Sequence, residues 1–337
     1  MTVLAFVAFL VIGVAMRLST LDALLFGLFS AASLLRWLMR AYAYALGEPL
    51  RTAISDLTYS GSIFVGVGVI TFFPAEALTT AYAFLLFGAL IAMLPFGKRI
   101  LRQQFALPTT SGIRGYRFMW RDHSRWALIG VITTEITGNA HAYVVTAVYG
   151  PSAFALLAAA AILVRPIGVI VNALSEFERP QMAMLLGAGN PAGGMRSIRA
   201  MRYVLLIAWF VNALAATLLM FTSPRLVFPL HYDLYELSIA AVLWTLIALV
   251  RVSRTPESTF LQAGGEFRWL AYASLIVCWF SMAMVILSIA AGGVVWSVLG
   301  ILLGECALAV LIWRQARRLK QRLNSLSRLE SIATSSG

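Results

Sequence analysis

Lys and Arg residues alternate with long apolar runs along this chain, and few folds allow that pattern. Of the 26 Lys and Arg residues, 23 lie in or at the edge of every second gap between apolar runs or in the C-terminal segment. Only Arg17, Arg165 and Arg225 lie elsewhere. Because loops rich in Lys and Arg stay on the cytoplasmic side of a membrane, the alternation predicts a multi-pass membrane protein with both termini in the cytoplasm.

Composition supports a bilayer as the solvent of this chain. Its 337 residues are 61% hydrophobic and 12% charged, with a mean hydropathy of +0.85. One soluble core could not bury so much apolar surface. The net charge of +12 is carried beside apolar runs, where it faces anionic membrane lipids, so we predict these lipids as partners and no nucleic acid.

Ten apolar runs approach the roughly 20 residues that a membrane span needs. We predict spans at 2–16, 21–39, 57–73, 77–96, 126–148, 152–174, 203–223, 235–253, 270–291 and 293–313. The fold class expected is therefore all-α: a polytopic inner-membrane helical bundle of about ten transmembrane helices. The tight connections at 73–76, 149–151 and 291–292 carry no Lys or Arg, so they are predicted to turn on the outer side.

The longest gap between spans divides the chain into two lobes of four and six spans. This gap is basic and contains the turn-forming sequence Pro-Thr-Thr-Ser-Gly. We predict an N-terminal lobe at 1–97, a basic cytoplasmic linker at 98–125, a C-terminal lobe at 126–313 and a basic cytoplasmic tail at 314–337.

An internal repeat indicates that the two lobes are pseudo-symmetric. A shift of 218 positions also places the span 77–96 on 295–314. Transporters are often built from such repeats, with the substrate site between them. The identities are Arg36 on Arg254, Ala45 on Ala263, Gly47 on Gly265, Glu48 on Glu266, Ala53 on Ala271 and Leu57 on Leu275.

The repeat leaves the first lobe two spans short of the second. The spans 126–148 and 152–174 have no counterpart before residue 21 under this shift. We expect two further spans upstream of Met1, because of a misassigned start or a fragmentary chain, unless the lobe has shrunk or a second chain covers the gap.

Charges inside predicted spans are the first candidates for a functional site, since they are costly unless paired or facing water. Glu135 and Arg165 lie at equal distances from the turn at 149–151, at a depth of roughly 20 Å. Asn139 and Asn172 extend polar stripes from them along the same helix faces. A water-filled cavity and a static salt bridge are both compatible with this pattern.

Two arginine pairs near the predicted inner boundary are a second candidate. Arg36 with Arg40 and Arg251 with Arg254 each share one helix face. Guanidinium groups bind phosphate in a bidentate manner, so the two pairs could form a cytoplasmic clamp for a pyrophosphate. Arginine at the inner end of a span also obeys the positive-inside rule without any ligand.

The sequence shows no sign of an enzyme, a metal site or a cofactor site. It contains no nucleophile elbow, no phosphate-binding GK[ST] loop and no His and Cys spacing suited to a metal. Cys278 and Cys306 lie singly within apolar runs. We therefore predict no enzyme activity, no cofactor and no metal.

Two segments resemble bacterial polysaccharide flippases. The segment 36–57, with RWLMR and GEPLR, is similar to their fourth and fifth spans, and the segment 139–180, with YGP, RP and ERP, is similar to the seventh and eighth. These proteins belong to the multidrug/oligosaccharidyl-lipid/polysaccharide exporter superfamily, whose members have two six-span lobes around a central cavity. This chain departs from them in lacking the first two spans.

The resemblance implies a function in the bacterial inner membrane. It implies flipping or export of a polyprenyl-pyrophosphate-linked oligosaccharide by alternating access, with other polysaccharide assembly proteins as further partners. The alternatives are a cation-coupled drug exporter of the same superfamily and a non-transporting membrane component of a polysaccharide assembly complex. The Arg-rich interior favours an anionic substrate over a cationic drug.

Overall fold

The computed structural model describes residues 2–104, 110–228 and 232–335, and within these ranges the regular structure is helical throughout. Short 3-10 turns and one π-helical turn at Trp120–Ser124 connect some of the helices. The α-helices are α1 (Thr2–Ala15), α2 (Thr20–Ala45), α3 (Pro49–Phe72), α4 (Ala77–Ile91), α5 (Gly97–Gln104), α6 (Thr110–Met119), α7 (Arg125–Tyr149), α8 (Pro151–Ile162), α9 (Arg165–Gly187), α10 (Pro191–Thr222), α11 (Leu234–Ala263), α12 (Phe267–Gly292) and α13 (Ser297–Ser335).

Seven helices in the described ranges are long and apolar enough to cross a membrane, and the bent pair α8 and α9 could be an eighth span. Two other predicted spans fall short of this standard. Helix α1 has only 14 residues, and the 25 residues of α7 include Glu, Asn, His and several Thr. The chain is thus an all-helical multi-pass membrane protein, as the alternation of apolar runs and basic gaps predicts.

The chain divides into two compact units, residues 1–109 and residues 110–337. In the first unit, α2 packs against α1 and α4, and α3 packs against α4. Its core lies between α2 and the continuous segment of α4 and α5. That core consists of Ala32, Met39, Ala43, Ala89, Met93, Phe96 and Ile100.

Helices α11 and α13 form the centre of the second unit. Trp244 and Ile247 of α11 belong to a buried cluster with residues of α7, α8, α12 and α13. Further along α11, Val252 and Phe260 join a second cluster with α9, α10, α12 and α13. The apolar segments of α11 and α13 are the most buried of the candidate spans in the described ranges, whereas lipid can cover the apolar faces of the others.

The predicted repeat is matched by the geometry of two helix ends. Gly47 after α2 and Gly265 after α11 both have positive φ, +74° and +77°. In each turn the next residue donates its backbone N–H to the carbonyl five residues back, Glu48 to Ala43 and Glu266 to Leu261. Both ends are Schellman caps, in which glycine takes the left-handed conformation without a Cβ clash.

The offset between the repeats does not stay at 218. Helices α3 and α12 begin 218 positions apart, at Pro49 and Phe267, but α12 is two residues longer. As a result α4 and α13 begin at Ala77 and Ser297, which are 220 positions apart. The predicted alignment of 77–96 on 295–314 is therefore wrong by two residues.

The predicted span 152–174 is not one helix. Helix α8 ends at Ile162, α9 begins at Arg165, and the axes of the two differ by 60°. The backbone N–H groups of Leu163 and Val164 donate to carbonyls only three residues back. Pro166 has no N–H to donate to the carbonyl of Ile162 four residues back, so the helical hydrogen bonding is interrupted and the chain bends here.

Candidate functional site

The arginine pair of the first unit binds a carboxylate of the next helix. Arg36 and Arg40, on α2, both contact Asp56 on α3, with Arg40 Nη2 at 3.1 Å from Asp56 Oδ2. Arg36 Nε also donates to Ser55 Oγ at 3.2 Å, and its guanidinium lies 4.3 Å from the ring centre of Tyr59. The Asp56 side chain remains 40% exposed.

The arginine pair of the second unit also shares one carboxylate, but a deeply buried one. Arg251 Nε lies 2.7 Å from Glu305 Oε1, and Arg254 donates from Nε and Nη2 to Glu305 Oε2 at 3.0 and 2.8 Å. The Glu305 side chain is only 3% exposed. A buried carboxylate needs such partners, because an unpaired charge would lose its hydration without compensation.

These ion pairs bear directly on the predicted pyrophosphate clamp. In each unit an internal carboxylate already contacts both arginines, so an incoming anion would compete with Asp56 or with Glu305. Each cluster still carries one net positive charge, since two guanidiniums face one carboxylate. Each cluster therefore still attracts a phosphate, but with a net charge of about +1 and not the +2 that the arginine pair alone would carry.

Arg251 differs from the other three arginines in what its terminal nitrogens contact. Only its Nε donates to Glu305, and neither Nη1 nor Nη2 makes a hydrogen bond with any residue that the structure describes. The side chain is 37% exposed. Glu305 thus fixes the guanidinium and leaves its terminal edge available to a ligand.

Arg251 lies against α7 beside the polar stripe predicted there. A Cβ added to Gly138 would lie 3.5 Å from Arg251 Nη2, so the absence of a side chain at Gly138 leaves the guanidinium room. Asn139 follows Gly138, and its Nδ2 donates to the backbone carbonyl of Glu135 at 2.9 Å and to Glu135 Oε2 at 3.3 Å.

Glu135 and Arg165 do not form an ion pair within the described part of the chain. Their equal depth was inferred from a straight helix after the turn at 149–151. Because α8 ends before Arg165, that side chain lies in the first turn of a helix running in another direction, and the premise is wrong. Both residues are exposed.

Arg165 instead belongs to a polar stripe along α9. Asn172 follows it by seven positions, and Glu176 and Arg179 continue the same helix face. Ile167 lies on the opposite, buried side. The predicted association of Arg165 with Asn172 is therefore retained on one helix, whereas Glu135 and Asn139 form a separate group on α7.

Sequence reasoning missed the acidic partners of the arginines. Glu305 lies inside the predicted span 293–313, and a lone carboxylate there was a signal equal to that of Glu135. Glu257 was also missed: it is buried in α11 and contacts Arg202 of α10 and, at 3.7 Å, Lys320 of α13. His141 is buried between the rings of Phe154 and Trp244.

The described residues contain no group of three or more His, Cys, Asp or Glu side chains that could hold a metal ion. Cys278 and Cys306 are both free thiols. The polar groups of the site are thus arginines, carboxylates and amides, which suit ionic and hydrogen-bonding contacts with a ligand.

Comparison with known proteins gives a structural relative. The chain is similar in fold to a MATE protein whose crystal structure shows the bent conformation, with a TM-score of 0.71 and 12% sequence identity. The similarity covers 97% of this chain and 76% of that one. Neither a protein-family model nor a curated protein sequence matches the chain. At this identity the likeness shows the fold alone.

Proposed function

We propose that the chain is a membrane transporter that moves a polyprenyl-pyrophosphate-linked oligosaccharide or polysaccharide repeat unit across a bacterial inner membrane by alternating access. The exporter-like fold, the resemblance of 36–57 and 139–180 to polysaccharide flippases, and the excess of arginine support this function. The charge alternation supports cytoplasmic termini and anionic lipids around the basic end of α13, and the resemblance supports other polysaccharide assembly proteins as further partners.

Arg251 carries the proposal. Its terminal nitrogens form a planar fork that suits the oxygens of a pyrophosphate, and such charge-assisted bidentate contacts are stronger than neutral hydrogen bonds. Glu305 orients this guanidinium in advance, which lowers the entropy lost when a ligand binds. The remaining candidates, Arg36, Arg40, Glu135, Asn139, Arg165, Asn172 and Arg254, are proposed to line the path with it.

A second candidate function is cation-coupled drug export. MATE stands for multidrug and toxic compound extrusion, and the structural relative bears that name. Glu135 favours this function, because it is exposed and pairs with no cation in the part of the chain that the structure describes. The buried carboxylates Glu305 and Glu257 already contact arginines and so are poorly suited to capture a cation.

Flipping by the purified chain tests the proposal. The full chain is reconstituted in liposomes that contain a fluorescent polyprenyl-pyrophosphate disaccharide, and dithionite quenching reports movement between leaflets. We expect Arg251→Ala to lower the initial rate roughly tenfold, since one charge-assisted phosphate contact is lost. Arg251→Lys should restore only part of this rate, because lysine keeps the charge but not the fork.

The matched control is Arg322→Ala, since the Arg322 side chain is 69% exposed and lies 3.9 Å from its carboxylate partner. It should flip at the rate of the unchanged protein. If Arg251→Ala does so too, the role assigned to Arg251 is wrong. Liposomes that expel ethidium but do not flip the lipid would favour drug export, and activity in neither assay would favour a non-transporting component.

A further inference from the structure

A cavity opens at the end of the second unit where α8, α11 and α13 begin. Its volume is about 610 Å³, within the range of small-molecule sites. It lies opposite to the end where α9 and α11 terminate, and therefore on the side that the charge pattern predicts to be outside. Its distinctive lining residues are Tyr232, Asp233, Tyr235, Glu236, Gly292 and Trp296.

The Trp296 indole packs closely against the bare backbone of Gly292. A Cβ on Gly292 would lie 2.5 Å from Trp296 Cδ1 and 2.7 Å from Cγ, so only glycine permits this placement. The Trp296 backbone N–H donates to the Gly293 carbonyl at 3.2 Å, which fixes the turn. The residue remains 39% exposed, so the ring offers the cavity an apolar platform.

Two carboxylates on the first turn of α11 provide hydrogen-bond acceptors beside this platform. Asp233 caps the helix, accepting from the Tyr235 backbone N–H at 2.9 Å. Glu236 follows by three positions and therefore lies on the same face. Both are exposed, and Tyr235 beside them is 74% exposed. Carboxylates accept hydrogen bonds from hydroxyl groups in short, charge-assisted contacts.

The chemistry of this lining selects one class of ligand. Two carboxylates repel an anion, so a phosphate or an acidic sugar is disfavoured. A quaternary organic cation has no hydrogen-bond donors for Asp233 and Glu236, so it would use this lining only in part. A sugar ring has an apolar face for Trp296 and hydroxyl groups for Asp233 and Glu236, and it uses all of these features at once.

We propose that this cavity binds an uncharged sugar residue. The proposal rests on the proposed function for its role, since the saccharide end of the cargo would reach this site while the pyrophosphate remains near Arg251. It assigns the two ends of one substrate to two different regions of the second unit: a cationic one for the lipid phosphate and an aromatic, acidic one for the sugar.

Soluble oligosaccharides without lipid or phosphate test the cavity directly. The full chain in lipid nanodiscs is titrated with maltotriose, cellotriose and laminaritriose, with a glucuronic-acid disaccharide, and with tetraphenylphosphonium, and binding is followed by saturation-transfer-difference NMR and calorimetry. We expect at least one neutral trisaccharide to bind. Trp296→Ala should weaken it roughly tenfold, because the stacking surface is removed.

Two milder variants keep the test valid if Trp296→Ala fails to fold. Gly292→Ala displaces the indole without deleting it, and Glu236→Gln removes one charge at an exposed position, and both should weaken binding. Trp279→Ala and Glu76→Gln are the matched controls, since both residues are exposed and lie outside the cavity lining.

Binding of a trisaccharide that is unaffected by all three cavity variants would overturn the inference, as would binding of tetraphenylphosphonium alone or no binding of any trisaccharide. The proposed function is separated from this outcome by the flipping assay. Flipping by the unchanged chain without any trisaccharide binding would leave the transporter in place and reject the sugar site, whereas trisaccharide binding without flipping would reject the transporter alone.

Discussion

The two units neutralise equivalent arginines in different ways. Arg36 and Arg254 occupy matching positions of the repeat, on α2 and α11. In the first unit the carboxylate is Asp56, which comes from the following helix and is 40% exposed. In the second unit it is Glu305, which comes from α13 and is 3% exposed. The position that corresponds to Asp56 is Ser274, and the one that corresponds to Glu305 is Leu85.

This difference shows that a repeat can preserve a charge and replace its partner. In the first unit the ion pair joins α2 to α3, which a short turn already links, and its carboxylate is in contact with water. The second unit joins α11 to α13, which are distant in sequence and central in the bundle, through a carboxylate removed from solvent. The same arginine therefore stabilises local packing in one unit and long-range packing in the other.

The largest expected effect separates the two carboxylates. Glu305→Gln leaves two guanidiniums without their counter-charge, and breaking such a buried pair costs about 3–5 kcal/mol. Asp56→Asn should cost about 1–2 kcal/mol, because water reaches that site and solvates the arginines in part. Thermal unfolding of the purified variants in one detergent measures both.

Equal losses of stability in Glu305→Gln and Asp56→Asn would show that burial does not distinguish the clusters. The control is Glu48→Gln, whose carboxylate is 39% exposed and pairs with Arg51 at 3.0 Å. An exposed pair of this kind contributes about 0–1 kcal/mol, so its midpoint should change least.

A smaller difference is expected where the last two helices of each repeat pack together. A Cβ on Gly300 would lie 2.4 Å from the backbone nitrogen of Val285, and backbone cannot move aside. A Cβ on Gly88 would lie 2.0 Å from Ser62 Oγ, which can rotate away. Gly300→Ala should therefore cost about 2–3 kcal/mol, near the upper end for overpacking, and Gly88→Ala less than about 1 kcal/mol.

The Gly88 effect has an internal control. Combining Gly88→Ala with Ser62→Ala removes the hydroxyl that the new methyl group would meet, so the double variant should regain the stability lost by the first change. A Gly300→Ala protein that unfolds at the unchanged temperature would contradict the close approach of α12 and α13.

The smallest difference between the two units is expected at the glycines that end α2 and α11. Gly47 and Gly265 have positive φ, and no atom lies within 4 Å of a Cβ added to either. Alanine at each position should cost about 1–2 kcal/mol through backbone strain alone. Gly68→Ala, in the interior of α3 with open space around it, should instead be neutral or stabilising. Unequal losses at Gly47 and Gly265 would weaken the repeat.

The helices were predictable because their signals are local. Long apolar runs mark spans, and glycine or proline marks their ends, so the predicted span 270–291 falls within α12 and the predicted span 57–73 passes the end of α3 by only one residue. Pro166 is also a local signal of the bend after α8, but the apolar run that contains it predicts a single span. Helix α12 continues two residues past the position that matches the end of α3, and an addition at a helix end leaves the periodic pattern undisturbed.

The candidate site was less predictable, because the two members of each ion pair lie on different helices and meet only when those helices pack together. Arg251 and Arg254 were recognised from their spacing on one helix. Glu305 lies 51 positions beyond Arg254, and only the packing of α11 on α13 brings the two together. The same applies to Glu257 with Arg202, 55 positions apart.

The sequence by itself determined that this chain is a membrane-spanning bundle of helices with a repeated turn, since hydropathy, the positive-inside bias and glycine at positive φ are properties of short segments. Tertiary structure alone decided which carboxylate neutralises which arginine and which guanidinium keeps a free edge. Ion pairing and burial depend on distances between helices, and no pattern within one helix specifies them.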